Sequence, residues 1–225
     1  MNYMSFSNDL ENCFRENANR ELALPMENYM KNNFPFLGIK TEERRTLMMQ
    51  VYNANKEEVK VNFREICCEL FDKKEREFHI CAIDLLQKEI KRKYVLEDIT
   101  LIEKLLVTNS WWDSVDTIAK YLLGGYLLQF PDELETIIER FSNSDNIWLN
   151  RSAILFQLSY KEKTDFDLLK SECEKHKHSK EFFIQKAIGW ALRDYSRFNP
   201  KGVLEFVNLA NLKPLSQREA IRNIK

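Results

Sequence analysis

The chain has 225 residues and a formal net charge of −1, and its composition excludes several classes of protein. Hydrophobic residues make up 44% and charged residues 31%, as in a folded domain with one substantial core and unlike a disordered chain. No run approaches the ~18 apolar residues that a membrane span needs, and residues 1–6 do not read as an export signal, so we expect a cytoplasmic protein without a membrane partner.

Turn-forming residues are scarce, which favours helices. Five glycines and five prolines leave few turn positions for a many-stranded sheet. There is also no glycine-rich phosphate loop and no Gly-x-Ser-x-Gly elbow. Nucleotide hydrolysis and serine chemistry therefore lack their usual motifs.

The cysteines and histidines do not predict a metal site. The cysteines show neither paired spacing nor metal-ligand spacing, so we interpret them as reduced residues of helix cores. They are Cys13, Cys67, Cys68, Cys81 and Cys173. His176 and His178 are two residues apart, which is the wrong spacing for one helical face, and no third ligand is evident. We expect no metal and no organic cofactor.

Apolar residues recur at three- and four-residue spacing along almost the whole chain, which predicts helices. The predicted helices cover residues 6–22, 26–33, 41–55, 56–72, 75–93, 99–107, 110–130, 132–141, 145–160, 165–176, 179–198, 200–209 and 216–225. Residues 33–40 contain Pro35 and Gly38 and are expected to form an ordered apolar loop.

Several predicted helix ends carry residues suited to them. The candidate N-caps, whose side chains accept backbone N–H groups, are Ser110, Asp145, Asp165 and Ser179. Pro131 and Pro200 are expected near helix starts, where a missing N–H costs nothing. Ser216 and Glu219 fit a capping box, in which each side chain accepts the other's backbone N–H.

The stronger helices recur about every 35 residues, which predicts a repeat architecture. They begin near Thr41, Glu75, Ser110, Asp145 and Ser179. This spacing is expected when each antiparallel helix pair forms one layer of an α-solenoid. No linker divides the chain, so we predict an all-α fold with one repeat domain over residues 1–225 and a long concave binding face.

The near-neutral total charge hides an asymmetry along the chain. Residues 151–225 carry 15 Lys and Arg against nine Asp and Glu, a net charge of +6, whereas residues 1–150 carry −7. A basic half offers a local surface for an anionic ligand. The alternative is a solvated surface with no partner.

The segment 110–116 holds two of the four tryptophans together with two carboxylates. If Ser110 opens a helix, Trp112 and Asp116 lie one turn apart on the same face. An indole beside a carboxylate suits chemistry on a cationic or electron-poor ring. The alternative is that the tryptophans fill the core and Asp113 only caps the helix.

The predicted helix 179–198 carries a basic stripe. Lys186, Trp190, Arg193 and Arg197 fall at i, i+4, i+7 and i+11, which places them on one side of the helix. Cations that pair with phosphates, beside an indole that meets a sugar or base, suit a nucleic-acid backbone. The alternative is a solvated face that binds nothing.

A third candidate lies in residues 145–151. Trp148 and Arg151 are three apart and therefore neighbours on one helix face. The pair fits an exposed phosphate clamp, but it fits equally an aromatic side chain packed under an arginine stem.

Taken together, several segments resemble the bacterial AlkD-family alkylpurine DNA glycosylases. The segments are 29–39, 43–45, 110–116, 145–151, 153–158, 181–190 and 215–220, in this order along the chain. The resemblance implies a HEAT-like α-solenoid, monomeric, whose concave basic face grips duplex DNA. It also implies an enzyme of base excision repair that hydrolyses the N-glycosidic bond of cationic N3- or N7-alkylated purines.

The resemblance assigns catalytic roles to three residues of this chain. Trp112 and Trp190 would contact the deoxyribose of the damaged nucleotide, and Asp116 would be the catalytic carboxylate. An alkylated purine is already a cationic leaving group, so what remains is to stabilise an oxocarbenium-like sugar and orient water. The resemblance further implies that the base is not flipped into a deep pocket.

The resemblance also implies a set of DNA contacts. Arg151 and Arg193 would clamp the backbone, Tyr29 would lie on the lesion side, and Trp111 would fix the start of its helix. The full expected set is Tyr29, Lys40, Trp111, Arg151, Lys186, Arg193 and Arg197. Lys40 departs from the family, whose members often carry glutamine there, and would replace a polar contact with a phosphate contact.

An alternative from a different class remains, because related solenoids bind DNA structures without glycosylase activity. Such a protein, or a scaffold for protein partners, would release no base. The catalytic hypothesis also has a structural condition. It fails if Asp116 is both neutralised by an internal salt bridge and sealed from any groove wide enough for a double helix.

Overall fold

The computed structural model describes residues 5–224, and all regular structure in that range is helical. The described residues fall into two compact units, divided between Lys93 and Tyr94. Each unit has its own core of buried apolar residues. One repeat domain over residues 1–225 remains a proposal.

The first unit contains five helices. They are α1 (Ser5–Glu16), α2 (Arg20–Tyr29), α3 (Thr41–Ala54), α4 (Lys56–Phe71) and α5 (Arg76–Ile90). Phe6, Leu10 and Phe14 recur every four residues along α1 and are fully buried. Helix α1 packs against α3 and α4, and α4 packs along α5.

The predicted helices 6–22 and 26–33 are wrong in their boundaries. The first helix ends at Glu16, and a second helix, α2, begins at Arg20 and continues through Pro25. The side chain of Asn19 accepts the N–H groups of Glu21 and Leu22 and caps α2. This cap fixes the start of α2. The spacing of apolar residues does not indicate it.

The loop of residues 33–40 is ordered, and one buried carboxylate holds it. Glu77 on α5 is 2% exposed and accepts the backbone N–H groups of Leu37, Gly38 and Ile39 at 2.9–3.2 Å. Gly38 has a φ of +89°, and a Cβ there would lie 2.0 Å from the carbonyl oxygen of Asn19. Glycine is therefore required at this turn.

The second unit contains the remaining helices. They are α6 (Asp98–Val107), α7 (Trp112–Thr117), α8 (Gly124–Gln129), α9 (Leu134–Ser142), α10 (Ile147–Leu155), α11 (Phe166–His176), α12 (Phe182–Tyr195), α13 (Pro200–Leu209) and α14 (Pro214–Ile221). A π-helix (Ile118–Leu123) joins α7 to α8, and 3₁₀ turns cover Pro131–Glu133 and Lys161–Lys163. A shared core includes residues of α10–α14, and α12 packs against α10 and α14.

Some predicted helix ends agree with the structure. The Asp165 side chain accepts the Leu168 N–H at 2.9 Å and caps α11. Pro200 is the first residue of α13, where Asn199 accepts the Gly202 N–H, and Pro131 opens a 3₁₀ turn.

Other predicted caps are wrong, because the residue in question is not the N-cap of its helix. Ser110 donates to the Leu106 carbonyl, and α7 starts after Trp111. Asn146, and not Asp145, caps α10 by accepting the Trp148 N–H. Ser179 lies ahead of α12, which begins at Phe182.

The predicted capping box at Ser216 and Glu219 is also wrong. Helix α14 begins two residues earlier, at Pro214. Ser216 Oγ donates to the Gln185 carbonyl at 2.9 Å, and Glu219 forms ion pairs with Lys186 and Arg193. Both side chains therefore contact α12 and do not cap the backbone of their own helix.

The all-α prediction is confirmed for residues 5–224, and the succession of packed helices is consistent with an α-solenoid of helical repeats. All five cysteines are free thiols, and Cys67, Cys81 and Cys173 are buried in helices as predicted. Among the described residues, no helix has the length and apolar character needed to cross a membrane.

Candidate functional site

Helix α7 begins the candidate site and carries the tryptophan and the carboxylate singled out from the sequence. Trp111 has extended backbone angles at the N-cap, and its carbonyl accepts the Val115 N–H and the Ser114 hydroxyl. Trp112 and Asp116 then lie one turn apart. A π-helix follows immediately at Ile118, a feature that occurs frequently at functional sites.

The side chains of three helices surround one open cavity of about 370 Å³. Helix α7 contributes Trp112 and Asp116, and α10 contributes Arg151. Helix α12 contributes the rest. The lining residues are Trp112, Asp116, Arg151, Phe182, Phe183, Lys186, Trp190 and Arg193. The structure therefore brings all three predicted catalytic side chains to one cavity of the second unit.

Asp116 forms a two-pronged ion pair with Arg151. Arg151 Nε donates to Oδ1 at 2.6 Å, and its second terminal nitrogen donates to Oδ2 at 2.8 Å. Asp116 is 9% exposed and Arg151 is 4% exposed. Burial raises the pKa of the Asp116 carboxyl, and the Arg151 guanidinium opposes that rise.

The structure meets the first half of the structural condition on the catalytic hypothesis and does not test the second half, which concerns a groove wide enough for a double helix. Asp116 is neutralised by an internal salt bridge, as the condition specified. It also lines the cavity, together with Trp112 and Trp190. A carboxylate has about four acceptor positions, and Arg151 uses one on each oxygen. Acceptor capacity remains for a water or a sugar.

Arg151 is not the exposed phosphate clamp that one alternative predicted. Its guanidinium also donates to the Phe183 carbonyl and lies 6.0 Å from the Phe183 ring. The other alternative, an arginine stem packed against aromatic side chains, describes it better. In this structure Arg151 fixes Asp116 and the start of α12.

Four aromatic side chains form a cluster beside the cavity. Trp111 packs against Trp148 and Phe183 with ring centroids 5.8 and 5.2 Å apart, and Phe182 packs against Phe183 at 5.5 Å. Trp111 is absent from the cavity lining. It acts in this structure as the support of the α7 start, and its contact with DNA stays a prediction.

The basic stripe of α12 reaches the cavity only in part. Lys186, Trp190 and Arg193 line it, and Trp190 also packs against the core of the second unit. Arg197 lies beyond the end of α12, is 66% exposed and lies 3.9 Å from Asp194. The helix stops at Tyr195, three residues short of the prediction, so Arg197 leaves the stripe.

Tyr29 and Lys40 belong to the first unit. Tyr29 ends α2 and is 67% exposed, and Lys40 is exposed at the start of α3. Their predicted roles at the lesion and on the backbone stay predictions.

Three residues of this region were not predicted from the sequence. Phe182 and Phe183 line the cavity, and Glu219 pairs with two of its cations. Phe182 is 57% exposed, so a large apolar side chain faces solvent at the start of α12. The available indication in the sequence is the pair of adjacent phenylalanines ahead of the basic stripe. From hydrophobicity alone, both would be predicted to lie in the core. Among residues 5–224, no group of acidic, histidine or cysteine side chains has an arrangement that would hold a metal.

Similarity to known proteins identifies the family of this chain. No curated protein sequence matches the chain. A solved structure described as a predicted DNA alkylation repair enzyme from Enterococcus faecalis is similar to it, with a TM-score of 0.84 and 37% sequence identity over 92% of this chain and 96% of that one. The sequence profile of the DNA alkylation repair enzyme family matches residues 10–224. The chain therefore belongs to the DNA alkylation repair enzyme family.

Proposed function

We propose that this protein is a DNA glycosylase that hydrolyses the N-glycosidic bond of positively charged N3- and N7-alkylated purines in duplex DNA. One observation carries the proposal: Trp112, Asp116 and Trp190 line a single open cavity. The lining also includes three cationic side chains, those of Arg151, Lys186 and Arg193. Membership of a DNA alkylation repair family supports DNA as the partner. The proposed site is formed by residues of the second unit alone.

The two indoles supply attraction for positive charge. An aromatic face attracts a cation with about 0.5–2 kcal/mol, more when the pair is removed from water. Positive charge moves from the alkylated purine to the deoxyribose as the glycosidic bond breaks. Indoles that face the sugar therefore bind the transition state more tightly than the ground state, as catalysis requires.

Asp116 supplies the acceptor atoms. Its pairing with Arg151 makes the two residues neutral together, so the carboxylate acts at short range through its oxygen lone pairs. Held by two hydrogen bonds, the oxygens are preorganised to orient an attacking water and to face the developing sugar cation. A cationic purine needs no general acid as it leaves, and the described residues of the cavity offer no second carboxylate for that task.

The shape of the cavity supports catalysis without base flipping. An open cavity of about 370 Å³ with an exposed Phe182 at its rim differs from the enclosed pocket that a flipped base requires. The lesion would stay in the duplex, with its sugar presented to Trp112 and Trp190. Lys186 and Arg193 would then contact the flanking phosphates.

The test is release of 7-methylguanine or 3-methyladenine from methylated duplex DNA. Wild type should release free base, and Asp116→Asn should be slower by about 10²-fold or more, as for loss of a preorganised transition-state contact. Asp113→Asn is the matched control, because Asp113 lies on the same helix and does not line the cavity. It should keep activity within about threefold of wild type.

A second candidate function is a noncatalytic DNA-binding protein, and the Asp116–Arg151 ion pair is the observation that favours it. On that hypothesis the pair serves only to join α7 to α10. Wild type would then bind duplex DNA with salt-sensitive affinity and release no base. Equal base release by wild type and Asp116→Asn would instead refute the role assigned to the carboxylate.

A further inference from the structure

Helix α14 approaches α12 closely beside the cavity. A Cβ at Gly189 would lie 2.4 Å from Glu219 Cβ and 3.0 Å from the Ser216 carbonyl oxygen, so only glycine permits this approach. On the same side, Ser216 Oγ donates to the Gln185 carbonyl at 2.9 Å. The two helices are therefore fixed in register, with Glu219 over the middle of α12.

From this position Glu219 bridges two cations of α12. Its Oε1 accepts from Lys186 Nζ at 3.0 Å, and its Oε2 accepts from the Arg193 guanidinium at 2.6 Å. Lys186 and Arg193 lie on either side of Trp190 in the sequence, and all three line the cavity. Glu219 does not line it, and its side chain is 16% exposed. The carboxylate holds both cations from outside the cavity.

The bridge leaves the cations able to bind phosphate. An ammonium group has three N–H donors and a guanidinium has five, and each ion pair with Glu219 takes up only part of them. The hydrogen bond from Lys186 lowers the pKa of Glu219, and Arg193 lowers it further, so the bridge persists at neutral pH. Two long side chains are thereby held in one geometry before any ligand arrives.

We propose that Glu219 is a positioning residue that presents Lys186 and Arg193 to consecutive DNA phosphates beside the lesion. This proposal rests on the proposed DNA contact of the cavity and assigns a residue that the resemblance did not. Preordering two flexible side chains removes an entropic cost that DNA binding would otherwise bear. The contribution therefore lies in affinity and not in the chemical step.

The proposal makes a prediction opposite in sign to that from charge alone. Removing an acidic residue near a DNA-binding surface removes one negative charge, which by itself strengthens binding to DNA. If Glu219 positions the cations, its loss weakens binding even though a negative charge that repels DNA is gone. The direction of the change therefore decides between the two.

The experiment compares Glu219→Gln, Glu219→Asp and the charge-matched control Glu205→Gln, which alters an exposed residue of α13. We expect both Glu219 variants to raise KM for methylated duplex, and Kd for unmodified duplex, by about three- to tenfold. The single-turnover rate at saturating enzyme should change by less than about twofold. Glu219→Asp keeps the charge but is too short to bridge both cations, so charge alone predicts wild-type binding for it.

A double-mutant cycle excludes a merely structural role. In a Lys186→Gln, Arg193→Gln background, Glu219→Gln should no longer weaken binding, because the groups it acts through are gone and only the favourable loss of its negative charge is left. Unchanged or tighter binding by both Glu219 variants overturns the proposal, as does an equal loss in that background. The Kd measurement does not depend on base release. A wild type that binds DNA but releases no base would refute the glycosylase and leave Glu219 testable, whereas failure to bind DNA would refute both.

Discussion

The Arg151 guanidinium donates to both carboxylate oxygens of Asp116, at 2.6 and 2.8 Å, in the wall of the candidate active site. The two residues are 35 positions apart and come from different helices, so the pair joins α7 to α10. It also fixes the orientation of the carboxylate on which the proposed chemistry depends. Stability and activity are therefore coupled at this pair, and experiments on it must measure both.

We expect Arg151→Gln to destabilise the protein by about 3–5 kcal/mol, because it leaves the buried Asp116 carboxylate without its countercharge. This loss of stability should be smaller at acid pH. Without the guanidinium the folded-state pKa of Asp116 rises further above the unfolded value, and the cost of burying the charge is lost as pH falls through that pKa. Urea unfolding at several pH values measures this. The double variant Arg151→Gln, Asp116→Asn should lose less unfolding free energy than the two single variants together. Additive losses would show that the two side chains do not interact.

The hydrophobic period predicted much of this arrangement. Spacing alone placed Trp112 with Asp116, and Lys186 with Trp190 and Arg193, and the structure brings these side chains to one cavity. Both predictions use contacts within a single helix, where residues three or four apart are neighbours.

Contacts between helices were beyond the reach of the sequence. Nothing local indicates that Arg151 pairs with Asp116 and does not face solvent. In the same way, Ser216 and Glu219 satisfy the pattern of a capping box, yet both bond to α12. Local rules rank the options for a short segment, and tertiary packing decides among them.

The rate of base release should fall on the acid side, at a pH higher than the pKa of an ordinary aspartate. Burial raises the pKa of Asp116, and the proposed mechanism needs its ionised form, so activity falls as pH drops through this pKa. Single-turnover release of 7-methylguanine under enzyme excess measures the profile free of product release. Asp116→Asn should show no such limb in its residual rate. A wild-type profile without the limb would contradict the assigned role.

Trp112→Ala should slow single-turnover base release by about 2- to 30-fold, as for the loss of one aromatic face of ~0.5–2 kcal/mol beside a developing cation. The matched control is Trp148→Phe, which alters an indole of the aromatic cluster that does not line the cavity. We expect that control to lower the thermal midpoint and to leave the rate nearly unchanged. Equal rate losses in the two variants would indicate that Trp112 serves packing alone.

Glu77→Ala should destabilise the first unit by about 2–4 kcal/mol, because three backbone N–H groups lose one buried acceptor. The loop of residues 33–40 then has no other anchor for the amides of Leu37, Gly38 and Ile39 among the described hydrogen bonds. Hydrogen exchange should report this loss locally, with these three amides exchanging faster than those of α3. Glu57→Gln, at a carboxylate that is 85% exposed, is the control and should leave both exchange and the unfolding midpoint unchanged. If the three amides stay protected in Glu77→Ala, the loop is held by its apolar contacts and the carboxylate is not its anchor.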